Sequence, residues 1–79
     1  MELELEEKLQ EKYQNLIIEV EFVDFRIYAI IVKMEFRGNI YESKIIYKYR
    51  VDLTLTSNTN IIEGIIDKKI IIPFYKKGE

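Results

Sequence analysis

Residues 26–51 read RIYAIIVKMEFRGNIYESKIIYKYRV, and the way this stretch folds decides the architecture. Arg37-Gly38-Asn39-Ile40 separates two alternating runs, and Gly-Asn suits a two-residue hairpin turn because Gly accepts the positive φ of a primed turn. A turn centred on Gly38-Asn39 pairs residues whose numbers sum to 77. One face then carries Phe36–Tyr41, Met34–Ser43, Val32–Ile45, Ile30–Tyr47 and Tyr28–Tyr49. The other carries Glu35–Glu42, Lys33–Lys44, Ile31–Ile46, Ala29–Lys48 and Ile27–Arg50. The first face is the more continuously apolar one, so it is the face on which helices should pack. A one-residue slip would exchange the two faces.

Upstream, Glu2–Asn15 is predicted to be a helix. It is rich in Glu, Leu, Lys and Gln and has no Gly or Pro. Leu5, Leu9, Tyr13 and Leu16 fall on one narrow helical stripe. Leu16–Phe22 changes to strand alternation, with Ile18, Val20 and Phe22 apolar and Glu19 and Glu21 charged. A three-residue loop, Asp24-Phe25-Arg26, keeps the apolar face in phase by pairing residues that sum to 50: Phe22 with Tyr28, Val20 with Ile30, Ile18 with Val32. Such a loop prefers a Gly that is missing here.

Downstream, the alternation of Tyr47, Tyr49, Val51, Leu53 and Leu55 carries the third strand from Ile40 to about Thr56. Ser57–Asn60 reads as a polar turn. Asn60-Ile-Ile-Glu63 resembles a capping box, with a helix over roughly 59–69. The rival is a second hairpin turning at Asp67-Lys68-Lys69, favoured by the β-branched isoleucines. Ile70–Ile72 is expected to be extended because a residue before proline avoids the α region, and residues 73–79 read as a flexible tail.

The fold class that follows is α+β for a single domain of residues 1–79. The order is α-β-β-β-α, a three-stranded antiparallel meander with helices on one face. The alternative is an N-terminal helix followed by a five-stranded, mostly-β fold.

Composition narrows the chemistry. The 79 residues contain no His and no Cys, so the usual general base near neutral pH, the thiol nucleophile and thiolate metal ligands are all lacking. The three glycines are isolated and build no phosphate loop. The carboxylates read as solvated surface groups, so neither catalysis nor a cofactor is expected. No apolar run reaches the ~18 residues of a membrane span. The acidic start is unlike a secretory leader, so the expected location is cytoplasmic. The richness in Ile and Lys fits an AT-rich or thermophilic source.

Charge is uneven. Residues 1–25 hold eight acids and two bases, and residues 26–79 hold six acids and ten bases. The leading functional expectation is a non-enzymatic protein-binding module, homodimeric, contacting its partner through Ile27, Ala29, Ile31 and Ile46 on the mixed sheet face. A small chain of this makeup suits a viral or mobile-element inhibitor of a host enzyme. Its acidic helix (Glu2, Glu4, Glu6, Glu7 and Glu11) would then oppose a basic groove. The second expectation is nucleic-acid binding through phosphate contacts from Lys33, Lys44, Lys48 and Arg50.

Overall fold

The computed structural model describes residues 2–73. Helix α1 spans Glu2–Lys12, and strands β1 (Ile17–Asp24), β2 (Ile27–Phe36) and β3 (Asn39–Lys48) form one antiparallel sheet in the order β1-β2-β3. Helix α2 spans Leu55–Ile66 and continues as a π-helical turn, Asp67–Ile71. The α-β-β-β-α order is therefore the one expected, and the five-strand alternative is overturned because residues 59–72 are helical. Apart from Pro73, the expected tail lies outside the described residues.

Helix α1 is held by its stripe. Leu5 and Leu9 are fully buried, and Tyr13 and Leu16 continue the same line beyond the helix. The helix ends at Lys12, three residues before the expected end, where Gln10 takes over the bonding. Its Nε2 donates to the carbonyls of Tyr13 (2.8 Å) and Leu16 (2.7 Å), and its Oε1 accepts from the Ile18 amide (3.0 Å). One side chain thus satisfies backbone groups that the helix end and the connection would otherwise leave to water.

The β1–β2 register is as expected, with Ile18 opposite Val32, Val20 opposite Ile30 and Phe22 opposite Tyr28. A bulge follows Phe22, and Arg26 takes the left-handed conformation (φ 60°) that glycine would normally fill. Between β2 and β3, however, residues pair when their numbers sum to 75, as in Phe36–Asn39 and Ile30–Ile45. The turn is Arg37-Gly38 rather than Gly38-Asn39, with φ 53° and 79°. A type I′ turn needs positive φ at both central residues and favours Gly at the second, which is where Gly38 now stands. The slip is two residues, so the faces are unchanged. It also replaces the expected like-charge pairs Lys33–Lys44 and Glu35–Glu42 with Lys33–Glu42 and Glu35–Ile40.

The third strand stops at Lys48 rather than near Thr56. The cause is Asn58, which is fully buried. Its Oδ1 accepts from the Arg50 amide (2.9 Å) and the Tyr47 hydroxyl; its Nδ2 donates to the carbonyls of Arg50 and Thr54 (both 2.9 Å). Arg50 spends both backbone groups on this amide and turns the chain out of the sheet. Thr54, not Asn60, caps α2: its Oγ1 accepts from the Ser57 amide at 3.0 Å. Ser57–Asn60, expected as a turn, thus lies in the opening turns of the helix.

Ile62, Ile66 and Ile70 form the buried line of α2 and its extension. The expectation of an extended Ile70–Ile72 is overturned: Ile72 is right-handed helical, and its amide reaches five residues back to the Asp67 carbonyl. These isoleucines meet α1 and the even-numbered residues of β1 and β2 (Ile18, Val20, Tyr28, Ile30, Val32) with Ile45, Tyr47 and Tyr49. All buried core side chains lie on this one face of the sheet, apart from Ala29.

Candidate protein-interaction surface

Among the described residues no helix covers the other face. Ile17, Glu19 and Glu21 come from β1, Ile27, Ala29, Ile31, Lys33 and Glu35 from β2, and Ile40, Glu42, Lys44, Ile46 and Lys48 from β3. The register sets them in rows: Glu21–Ala29–Ile46, Glu19–Ile31–Lys44 and Ile17–Lys33–Glu42. Glu19 and Glu21 on β1 and the mixed charges of β3 (Glu42, Lys44 and Lys48) therefore flank the apolar Ile27, Ala29 and Ile31 of β2.

The four apolar residues expected to form the contact share this face but not the same depth. Ile46 is 60% exposed, Ile27 and Ile31 are half-buried, and Ala29 is fully buried. Ala29 is the floor of the surface and offers no contact of its own. Ile17 and Ile40 lie on the same face and stand out further than Ile27 or Ile31, at 59% and 73% exposure. Sequence reasoning passed over both, although their parity with Ile31 and Ile46 was the available signal.

The expected acidic helix is divided between two tasks. The Glu2 carboxylate accepts from the Phe22 amide (2.8 Å) and the Glu6 carboxylate from the Val20 amide (3.0 Å). These two are bound to β1 and are not aimed outward. Glu4, Glu7 and Glu11 remain exposed.

The four basic residues are also not brought together. Lys33 lies between Glu19 (3.5 Å) and Glu42 (3.9 Å). Arg50 is beyond the end of β3 and makes a two-pronged pair with Asp52, at 2.7 and 3.3 Å, which holds the Asp52 carboxyl below its usual range. Only Lys44 and Lys48 stand on the open face with no ion pair among the described residues.

Elsewhere the polar groups are bound structurally. Burial and the Asp67 carboxylate push the Tyr13 hydroxyl well above the usual tyrosine range. Burial also raises Tyr47, whose hydroxyl is committed to Asn58. Among the described residues no three carboxylates come together to hold a metal ion, and no helix is long and apolar enough to cross a membrane. No protein-family model, curated protein or solved structure matches this chain.

Proposed function

We propose that this chain is a small non-enzymatic protein-binding module and that the helix-free face of its sheet is the contact surface. The observation that carries this reading is the one-sidedness of the fold: both helices lie on one face, and the other presents Ile17, Ile40 and Ile46 to solvent. Exposed β-branched side chains on an uncovered sheet face are apolar surface of the kind that a partner buries. The charged residues of β1 and β3 on the same face (Glu19, Glu21, Glu42, Lys44 and Lys48) supply a rim that would orient the partner. Glu4, Glu7 and Glu11 offer a separate acidic surface, suited to a basic groove on an inhibited host enzyme.

The nucleic-acid reading is weaker because Lys33 and Arg50 already face carboxylates. Two remaining lysines would give shallow salt dependence and weak affinity.

The test compares wild type with Ile46→Asp and with Lys8→Asp, which lies on the exposed side of α1. A protein retained by wild type and by Lys8→Asp, and lost with Ile46→Asp, supports the open face. Equal retention by all three overturns it. Micromolar binding to duplex DNA or RNA that falls steeply with salt would instead promote the basic residues.

A further inference from the structure

The two edges of the sheet are treated differently. Along β1, the outward amides of Ile18, Val20 and Phe22 are taken by Gln10, Glu6 and Glu2 of α1. The spacing works because four helical residues rise about 6 Å and two strand residues rise about 6.6 Å, so acceptors four apart on the helix meet amides two apart on the strand. The β1 edge is sealed against another strand.

Among the described residues the β3 edge has no such cover. Since the even residues of β1 point outward, its odd residues bond to the odd residues of β2, and the even residues of β2 bond to the odd residues of β3. The backbone groups of Ile40, Glu42, Lys44, Ile46 and Lys48 therefore point away from the sheet. Residues 39–44 are exposed throughout, and neither helix runs along this strand.

We propose that this edge pairs with the same edge of a second copy, antiparallel, with the two-fold axis at Ser43. The side-chain order on the open face, Ile40, Glu42, Lys44, Ile46, is self-complementary in that register. Glu42 meets Lys44 of the second copy, Ile40 meets Ile46, and both pairs occur twice. The two nearest registers that keep outward groups facing each other put the axis on Glu42 or on Lys44. Each sets like charges opposite one another at the centre, so the favoured register is fenced on both sides. The next register beyond Lys44 pairs Glu42 with Lys48 but sets Lys44 against Ile46. At the axis the pair on the helix side of the sheet is Ser43 with Ser43, small enough to pass.

The pairing makes one six-stranded sheet. A two-fold axis normal to the sheet keeps all four helices on one side and joins the two open faces into one. Ile40 and Ile46 of the two copies then form two apolar pairs, one on either side of the central Glu42–Lys44 pairs. The pairing stands independently of the partner-binding reading above and would survive its failure.

The experiment measures the mass of the intact chain by light scattering and sedimentation, with circular dichroism confirming that each variant is folded. Wild type is expected as a dimer of the 9.5 kDa chain. Glu42→Lys and Lys44→Glu should each weaken self-association about tenfold or more, because two attractive pairs become repulsive. An equimolar mixture of the two variants should regain the dimer, since every 42–44 pair is then opposite in charge. Ser43→Cys sets two thiols face to face at a non-hydrogen-bonded pair, where a disulfide is geometrically permitted, and oxidation should yield a covalent dimer. A wild-type monomer at 100 µM (roughly a hundredfold above a micromolar Kd) overturns the proposal. So does a dimer indifferent to both charge variants that gives no Ser43→Cys cross-link.

Discussion

The Tyr13 hydroxyl donates to the Asp67 carboxylate across 2.6 Å, tying the end of α1 to the π-helical turn 54 residues away. The Glu63 carbonyl lies 3.0 Å from the same oxygen, and Lys12 pairs with the Glu63 carboxylate at 3.5 Å. The two helices make no other polar bridge among the described residues. Tyr13→Phe keeps the packing and removes a charge-assisted bond, with an expected loss of about 1–2 kcal/mol in urea unfolding.

The same contact sets a pH dependence. Burial first, and then the Asp67 carboxylate, raise the Tyr13 ionisation above its unfolded value of 10.0. The neutral phenol is thus favoured in the folded state. Its contribution is complete below about pH 10 and is lost as the pH climbs towards the raised value. Stability should fall above pH 10, and Tyr13→Phe should flatten that fall. Part of the slope should persist, because Tyr47 is raised in the same direction. Thermal melts between pH 8 and pH 11.5 would measure both effects.

Asn58 should be the most sensitive polar residue in the chain. Asn58→Ala strips partners from the Arg50 amide, the Tyr47 hydroxyl and two carbonyls, and should cost about 3 kcal/mol or more. Asn58→Asp keeps the shape and places a carboxylate where two carbonyls need a donor. Its charged form is disfavoured by burial, so the variant should be least stable at neutral pH and recover as the pH falls towards 4, in contrast to wild type.

The edge seal on β1 can be opened one bond at a time. Glu6→Gln keeps an acceptor for the Val20 amide and should change stability by less than about 0.5 kcal/mol. Glu6→Leu removes the acceptor from a half-buried edge amide. A loss of about 1–2 kcal/mol is expected, with concentration-dependent aggregation visible in light scattering as the exposed edge recruits strands.

The Arg37-Gly38 turn yields a test of register. Gly38 holds φ 79° with open space where a Cβ would stand, so Gly38→Ala should cost about 1 kcal/mol from backbone conformation alone. Arg37→Asn places a residue that tolerates φ 53° at the first turn position and should stabilise by roughly 0.5 kcal/mol. The loss of the Arg37 guanidinium from its seat 4.9 Å over the Phe36 ring limits the gain. Were the turn centred on Gly38-Asn39, Arg37→Asn would change nothing.

What could be read in the chain before folding followed periodicity. The stripe of Leu5, Leu9, Tyr13 and Leu16 marked the buried side of α1, and odd–even alternation assigned β1 as far as Phe22, and β2, to their faces; the bulge after Phe22 breaks the parity beyond it. The β1–β2 register came out as expected because a short connection at Asp24-Phe25-Arg26 kept Phe22, Val20 and Ile18 in phase with Tyr28, Ile30 and Val32. The β2–β3 register did not, because a two-residue slip leaves every side chain on the same face and alternation is blind to it. The end of β3 misled for the same reason. Tyr49, Val51, Leu53 and Leu55 alternate as a strand does, while the residue that ends the strand, Asn58, looks like an ordinary turn former. In the candidate surface, parity identified Ile46 and its neighbours but not depth, and Ala29 is buried by the larger side chains around it.

By itself the sequence determined which side of each helix and strand is apolar, and hence an α+β layer with helices on one face, because burial of a periodic stripe is a local property of spacing. The tertiary structure alone decided where β3 stops, which carboxylates of α1 are spent on the sheet edge, and which edge stays open. Those outcomes depend on backbone groups finding partners far away in the chain. Glu6 reaches Val20 and Asn58 reaches Arg50 only after the stripes have packed and brought donor within about 3 Å of acceptor.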